Sequence, residues 1–277
     1  LRESTETYVR RTSDIDVAER YYRNETDILL GKEKKDDDDN PLHNADNRIP
    51  GGFHRLLVKQ KASYLLTYPP MFDVGADKGN KKVASVLSGR FPKRCKQLCV
   101  NAANAGDAWV HYWDEGGVFK YGIIKSQQLR PIWSDDMEDE LIGMVRAYKQ
   151  LDTDNGQWYI VYEVWNDTEC QAFRRLESTT VDDIVHYDMF FDLSGDPTNT
   201  YTHDFGKVPF IQFRNNDECM SDLTKTMKGL IDSYDKTYCG FVNDLEDIQE
   251  IIFVLSGYEG EDKNGLLQDI KKYKTIL

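Results

Sequence analysis

The stretch at residues 208–255, VPFIQFRNNDECMSDLTKTMKGLIDSYDKTYCGFVNDLEDIQEIIFVL, decides the architecture of this chain. Its first six residues are apolar and extended. A polar turn follows, in which Asn215 and Glu218 have the spacing of a capping box and Ser221 is a second possible helix start. Apolar residues then recur at steps of three and four: Met220, Leu223, Met227, Leu230, Ile231, Tyr234, Tyr238, Phe241, Val242, Leu245 and Ile248. The pattern predicts a helix over residues 217–250, roughly 50 Å long, with one apolar stripe.

The opposite face of this predicted helix is charged. Its members are Asp222, Lys225, Lys228, Asp232, Asp235, Lys236, Asp244 and Asp247. A long helix with so narrow a stripe needs a partner along its whole length, and a core helix of a globular enzyme is one way to supply it. Residues 251–255 are β-branched and apolar and are closed by Ser256 and Gly257, so they predict a strand.

Composition limits the class of protein. The chain has 277 residues and a net charge of −13, which argues against a protein that grips DNA by its phosphates. No run approaches the ~18 apolar residues of a membrane span, so we expect no membrane partner, and the N-terminus shows no signal-peptide core. Five cysteines without a CxxC pair predict reduced thiols in a cytoplasm.

The remaining chain predicts helices first and an antiparallel sheet afterwards. The helical segments are 13–31, 53–64 and 83–105. The predicted strands are 108–113, 118–124, 129–133, 141–149, 157–165, 170–176 and 184–191, followed by a loop over 192–206. Turn residues at 114–117 and 154–156 favour hairpins and a meander. The fold class is therefore α+β: a β-rich antiparallel domain with flanking helices, then the long helix and the start of a small α/β element.

Sequence motifs for catalysis are missing. The chain contains no GxxxxGK[ST], no HExxH and no GxSxG, and its carboxylate pairs are adjacent residues that point apart in a strand. His111 shares a strand face with Trp113 and is best interpreted as a packing residue. We therefore expect no cofactor, no metal and no enzymatic activity. A prophage-encoded α+β nuclease or hydrolase is the alternative that this pattern leaves open.

Several segments resemble the portal (connector) proteins of tailed bacteriophages and prophages of the siphophage type. The resemblance rests on GKVPFIQFRNND, LIDSYDK and LEDIQEIIFVLSGYEGE, on NRIP with HRLLVKQKASYL, and on GDAWVHYWDEGGVFKYGII. It covers residues 20–31, 47–74, 106–133 and 206–277. In that family such segments form a wing, a stem helix and a clip. The resemblance implies a wing over 1–206, a stem over 207–250 and the beginning of a clip over 251–277, with the rest of the clip, the return stem helix and the crown absent.

The same resemblance implies a function and partners. It implies a homo-oligomeric ring, usually of twelve subunits, at the capsid vertex of the virion, assembled in the host bacterial cytoplasm. Double-stranded DNA would pass through the channel during packaging and ejection. The partners would be the terminase large subunit, a head-to-tail adaptor protein, and capsid and scaffolding proteins.

Three sets of site residues follow. The helix stripe predicts a subunit interface because no second long helix is there to cover it: Leu223, Met227, Leu230, Tyr234, Tyr238 and Phe241. Lys225, Lys228 and Lys236 are either surface ion pairs with Asp222 and Asp232 or weak phosphate contacts in the channel. By resemblance, Lys271 and Lys272 would dock the terminase and later the adaptor.

Overall fold

The computed structural model describes residues 2–31, 45–68, 70–137 and 139–248. The α-helices in these ranges are α1 (Arg2–Tyr22), α2 (Phe53–Leu65), α3 (Asp77–Leu87), α4 (Phe91–Ala105) and α5 (Lys225–Ile248). A 3-10 helix at Asp27–Leu30 follows α1. The strands are β1 (Asp107–Glu115), β2 (Val118–Ile124), β3 (Leu129–Trp133), β4 (Leu141–Leu151), β5 (Trp158–Trp165), β6 (Glu169–Leu176), β7 (Val185–His186), β8 (Phe190–Phe191), β9 (Pro197–Thr198), β10 (Thr200–Thr202) and β11 (Phe210–Arg214).

Helices and antiparallel sheets together confirm the predicted α+β class. By its internal contacts the chain forms two compact units. The first joins Leu1–Ala18 to Val58–Asp222, and the second joins Glu19–Leu57 to Leu223–Leu277. The division into wing, stem and clip at residues 206 and 250 stays a prediction. Residues 207–222, which it assigns to the stem, share their unit with the sheets.

The first unit contains two main sheets built from hairpins. β1 pairs with β2 and with β11, so the extended run before the long helix is the edge strand of a three-stranded sheet. The second sheet is the predicted meander of β3, β4, β5 and β6, all antiparallel, with β10 and β7 paired to β6. Gly116 and Gly117 both have positive φ at the β1–β2 turn, where glycine avoids steric strain.

Side chains alternate between the two faces of β1, and each face packs into a separate hydrophobic cluster. Ala108 and Val110 pack under α4 with Leu98 and Ala102. Trp109 lies on the other face, in a cluster with Leu129, Met144, Trp165, Cys170, Val208 and Phe210. Gly106 joins α4 to β1 at φ 88°, where an added Cβ would lie 1.9 Å from the Cys219 carbonyl oxygen. The connection therefore requires glycine.

Most predicted strands are confirmed to within two residues, whereas several helix bounds were wrong. The predicted helix over 13–31 is α1, which begins at Arg2, plus the separate 3-10 helix. The predicted segment 83–105 is two helices, α3 and α4. They separate at Ser88, which has φ 61°, and a proline occupies the first turn of α4.

The segment after β6 also differs from the prediction. The predicted strand over 184–191 is two short strands, β7 and β8, and the predicted loop over 192–206 contains β9 and β10. Each of these strands has only two or three residues. So short a run is too brief to show a period of two in the sequence.

Candidate functional site: the long helix

The long helix begins eight residues later than predicted, at Lys225. The Thr224 hydroxyl accepts a hydrogen bond from the Met227 amide at 3.2 Å, and this bond caps the helix. The predicted capping box is wrong, because the Asn215 side chain donates to the Met220 carbonyl at 2.9 Å and so closes a turn before the helix. That turn is held by Lys61, whose ammonium lies 2.9 Å from the Asp222 carboxylate.

One face of α5 is buried and partly polar. Ile231, Asp235 and Cys239 follow one another at steps of four and are each at most 3% exposed. The Asp235 carboxylate accepts hydrogen bonds from the Thr26 hydroxyl at 2.6 Å and from the Gly51 amide at 2.8 Å. Burial of a carboxylate is costly unless hydrogen bonds compensate it, and these two donors do so. The sequence pattern had placed Asp235 on the charged outer face, and the structure corrects this.

An extended strap, residues 45–52, runs antiparallel to α5 and is bonded to it at every second residue. The Asn47 amide donates to the Asn243 side chain at 2.7 Å. The Ile49 amide donates to the Cys239 sulfur at 3.2 Å, and the Gly51 amide donates to Asp235.

The register of the strap follows from simple geometry. Two residues of extended chain advance about 6.6 Å, and four residues of helix advance about 6 Å. An extended segment can therefore hydrogen-bond side chains at i, i+4 and i+8 in register, as the strap does with α5. The sequence analysis missed this contact because the strap has no apolar period and its donors are backbone amides.

A charged cluster joins the first turns of α5 to the end of α1 and the 3-10 helix. The Lys228 ammonium contacts the carboxylates of Asp27 and Asp232, the latter at 2.7 Å. Tyr21 donates its hydroxyl hydrogen to Asp232, and Arg20 pairs with Asp27. Tyr21 is 1% exposed, and Lys228 also lies over its ring.

The ionisation of this cluster reflects competition between burial and hydrogen bonding. Burial disfavours the charge on Asp27, but hydrogen bonds from Lys228 and Arg20 outweigh it and lower the pKa of Asp27 to about 2. Burial, together with the hydrogen bond to Asp232, raises the pKa of Tyr21 to about 12. Burial opposes the charge of Lys228, yet the two carboxylates raise its pKa.

The other face of α5 exposes large apolar side chains. Leu230 is 63% exposed, Tyr234 47%, Tyr238 42% and Phe241 61%. The rings of Tyr234 and Tyr238 stack with centroids 6.0 Å apart, and Phe53 meets Tyr234 edge to face at 4.8 Å. Stacked rings of this kind form a preorganised apolar surface, and contiguous exposed apolar surface typically marks an interaction site.

The predicted site residues fall in different places. Leu223 and Met227 are half-buried, while the four apolar residues that follow them in the predicted interface are exposed. Lys228 is held in ion pairs, while Lys225 and Lys236 are exposed. Lys271, Lys272, and the predicted clip strand and helix lie outside the described residues.

Across residues 2–31, 45–68, 70–137 and 139–248, no group of three His, Cys, Asp or Glu side chains is placed to hold a metal ion. His111 donates its Nδ1 hydrogen to the Pro209 carbonyl at 2.9 Å and stacks on Trp113 and Phe210, which confirms its packing role. Burial lowers the pKa of His111.

Among the described helices, none combines the length and the apolar character needed to cross a bilayer.

An exposed aromatic helix face on a chain of helices and hairpin sheets is typical of a subunit that packs against another protein chain. Comparison with known proteins identifies the family. The family model described as "Phage portal protein, SPP1 Gp6-like" matches residues 2–277, and this chain belongs to that family. The portal protein of Clostridium phage phiCD119 is 41% identical over 96% of this chain and 60% of its own length. The portal protein of Bacillus phage SPP1 is 26% identical over 93% of this chain and 52% of its own length.

The chain thus spans between one half and two thirds of the length of these curated relatives. The resemblance read from the sequence is confirmed, and the alternative of a nuclease or hydrolase is not supported.

Proposed function

We propose that this chain is a subunit of a portal ring, which forms a channel for double-stranded DNA at one vertex of a phage capsid. The ring serves DNA packaging and later ejection, as a structural component of the virion that catalyses no reaction itself. Membership of the portal family supports this proposal. Twelve subunits and assembly in the host cytoplasm are part of the same proposal.

The observation that carries the proposal is the exposed aromatic face of α5, made by Leu230, Tyr234, Tyr238 and Phe241. The strap and the charged cluster hold a neighbouring side of the helix, so α5 is a fixed element with one apolar face turned outward. In a ring, each such face packs against a neighbouring subunit. In a closed ring, repetition of a head-to-tail contact covers this face of every copy.

The channel proposal needs weak cationic contacts rather than strong ones. Lys228 is bound by Asp27 and Asp232, so Lys225 and Lys236 remain the candidates on α5. They are eleven residues apart, which places them on one line along the helix with roughly 16 Å between them. That line lies about 180° around the helix from the aromatic face. A subunit that packs through its aromatics therefore turns these two lysines away from the contact.

Docking of other components completes the proposal. The clip, which begins within residues 251–277, contacts the terminase large subunit during packaging and a head-to-tail adaptor afterwards, with Lys271 and Lys272 as contact residues. Capsid and scaffolding proteins would surround the ring during assembly. The family name supports this set of partners only as a class.

The test replaces an exposed apolar residue of α5 by a charged one in the intact protein. Leu230→Asp or Tyr234→Asp should abolish rings in negative-stain images and shift the protein to the monomer volume in sizing chromatography. A desolvated carboxylate in an apolar contact is strongly unfavourable. Ser233→Asp is the matched control, because Ser233 is an exposed residue of the same helix about 100° around from Tyr234.

The control should form rings as the unmodified protein does. The circular dichroism spectra of all three variants should agree, since none of the three positions is buried. Rings of normal size from both apolar-to-Asp variants would contradict the proposed interface.

A further inference from the structure

Residues 78–96 form a strongly basic segment in an acidic protein. The segment contains seven Lys or Arg residues and no Asp or Glu, while the whole chain carries −13. It spans α3, the break at residues 88–90 and the first turns of α4. Six of the seven cations are exposed: Lys78, Lys81, Lys82, Arg90, Lys93 and Lys96. We call this surface the basic helix pair.

These charges are placed unfavourably for the fold itself. Lys78 and Lys82 are like charges at i and i+4 on α3, and such pairs destabilise a helix. Lys93 and Arg94 lie in the first turn of α4, at the positive end of the helix dipole, and no acidic residue offsets them there. Within the described residues, none of the six exposed cations forms an ion pair. Local charge conflicts of this kind are expected at functional positions.

The seventh cation, Arg94, has a structural role. Arg94 donates to the Tyr121 carbonyl at 3.0 Å and lies over the Tyr121 ring at 4.3 Å, so it fixes α4 on β2. None of the six exposed cations bonds in this way to a described residue. The structure therefore separates one anchoring arginine from exposed cations that form no ion pair within the described part of the chain.

A second segment in the same unit has the opposite composition. Residues 177–204 contain seven Asp or Glu residues and no Lys or Arg. Glu177 pairs with Lys149, and the other six carboxylates are exposed: Asp182, Asp183, Asp188, Asp192, Asp196 and Asp204. They lie in a short 3-10 helix at Val181–Asp183 and in the connections around the strands β7 to β10, after the meander. We call this surface the acidic edge.

Both surfaces combine their charge with exposed apolar side chains. Beside the basic helix pair, Met71 is 93% exposed and Phe72 50%, and Phe72 packs on Phe91 of α4 with ring centroids 5.6 Å apart. On the acidic edge, Phe191 is 74% exposed and Leu193 is fully exposed. The basic helix pair thus exposes positive charge together with apolar side chains. The acidic edge exposes negative charge together with apolar side chains.

We propose that the basic helix pair of one copy of this chain docks on the acidic edge of a neighbouring copy. This inference rests on the proposed function, since it gives the ring a second contact besides that of α5. Six exposed cations face six exposed carboxylates, so the two surfaces are electrostatically complementary, and complementary charge steers association and fixes register. A nucleic acid would match the cations equally well but would leave the acidic edge and both apolar groups without a role.

The proposal also explains why the contact is head-to-tail. Two basic helix pairs repel each other, and so do two acidic edges, so a symmetric contact of like surfaces is disfavoured. Unlike surfaces attract, and a head-to-tail interface between two different surfaces of identical subunits forms a ring when the rotation between neighbours closes. The arrangement therefore disfavours two-fold dimers and suits the ring that a channel needs.

The experiment reverses each surface in the intact protein and measures ring formation by sizing chromatography and negative-stain imaging. The basic variant is Lys78→Glu, Lys82→Glu and Lys93→Glu. The acidic variant is Asp182→Lys, Asp188→Lys and Asp196→Lys, which leaves the turn and capping bonds of Asp183 and Asp192 intact. The matched control, Lys59→Glu, Lys207→Glu and Arg214→Glu, makes the same charge change at exposed positions outside both surfaces.

Each reversed variant alone should form rings at least ~10-fold less readily than the control, because three attractive pairs become repulsive. An equimolar mixture of the two reversed variants should restore rings, since each altered surface then meets a matching one. This rescue also shows that both variants are folded. Rings of the unmodified protein should weaken between 0.1 M and 1 M salt, as the Debye length falls from about 10 Å to 3 Å.

Rings from the basic variant at the level of the control would overturn this inference and leave the proposed function standing. The same result with a loss of duplex DNA binding would reassign the basic helix pair to nucleic acid. If the unmodified protein forms no rings under any salt condition, the proposed function fails together with this inference. Failure of the mixture to recover, with both variants folded, would also overturn the docking of these two surfaces.

Discussion

Gly51 is the residue at which the strap comes closest to the long helix. A Cβ added there would lie 2.5 Å from the Asp235 carboxylate oxygen, which the Gly51 amide itself binds. The carboxylate also accepts the Thr26 hydroxyl hydrogen, so it cannot move without breaking a buried hydrogen bond. We expect Gly51→Ala to lower the free energy of unfolding by ~1–3 kcal/mol, measured by urea denaturation.

The control for this substitution is Gly229→Ala in α5. No atom lies within 4 Å of a Cβ built on Gly229, and alanine favours an exposed helix position over glycine. This variant should gain ~0.5–1 kcal/mol in the same measurement. Equal stability of the two variants would show that the strap does not depend on the small size of Gly51.

The burial of Asp235 could not be predicted from the sequence. Its position relative to the apolar stripe predicted a solvent-facing charge, because neighbouring positions on that side hold Asp and Lys. The structure buries it to 1% exposure under a segment almost two hundred residues earlier in the chain. Helical periodicity reports a side chain's direction on its own helix, and it carries no information about a distant backbone that covers that direction.

Among the contacts between elements, the cluster of Asp27, Lys228, Asp232 and Tyr21 has a testable pH dependence. The pKa of Asp27 falls from 3.8 to about 2 on folding. A lowered carboxyl pKa stabilises the folded state above the unfolded pKa, and this stabilisation is lost as pH falls toward the folded pKa. We therefore expect the melting temperature to decline through the window from about pH 4 to pH 2. The Asp27 side chain is 39% exposed, so after solvent screening the contribution is about 1 kcal/mol.

The Asp27→Asn variant isolates this contribution. At pH 7 it should unfold about 1 kcal/mol more easily than the unmodified protein, because the ion pairs with Lys228 and Arg20 are lost. The difference should shrink to near zero at pH 2, where Asp27 itself becomes half protonated. A difference that stays constant from pH 7 to pH 2 would assign the effect to packing and not to charge.

The bounds of the strands are predicted best from the sequence where turn-forming residues such as Asn and Gly mark the strand ends. The predicted strands 129–133 and 118–124 coincide with β3 and β2, and Asp154, Asn155 and Gly156 mark the β4–β5 turn. The start of α5 was wrong because several residues before it could cap a helix, and tertiary bonds from Asn215 and Lys61 decide among them. The two faces of the helix were predicted as one stripe because both contain apolar residues at steps of three and four.

At the scale of the whole molecule, the net charge bears on the proposed contact with DNA. The chain carries −13, and six of the exposed cations in its described residues lie close together in residues 78–96. In the proposed channel, an acidic subunit would repel the duplex on average, and a few separated lysines would supply weak contacts that release quickly. Such a surface lets DNA slide, whereas a continuous basic surface would hold it.

This view predicts weak, salt-dependent DNA binding with unequal roles for the three α5 lysines. The intact protein should bind duplex DNA no more tightly than the ~10⁻⁴–10⁻⁶ M of non-specific binders at physiological salt. Lys225→Ala with Lys236→Ala should reduce the slope of log affinity against log salt by at most about 2 per subunit engaged, since each phosphate contact contributes about 0.9.

Lys228→Ala is the discriminating comparison for these lysines. The ammonium of Lys228 is already neutralised by Asp27 and Asp232, so its loss should destabilise the fold and leave the salt slope unchanged. Fluorescence anisotropy with a labelled duplex across 0.05–0.5 M salt, roughly the range in which phosphate contacts dominate, measures both quantities. If Lys228→Ala lowers the slope more than the double variant does, the lysine held in the cluster is the one that reaches DNA. A sub-micromolar, salt-insensitive complex would contradict the passive channel altogether.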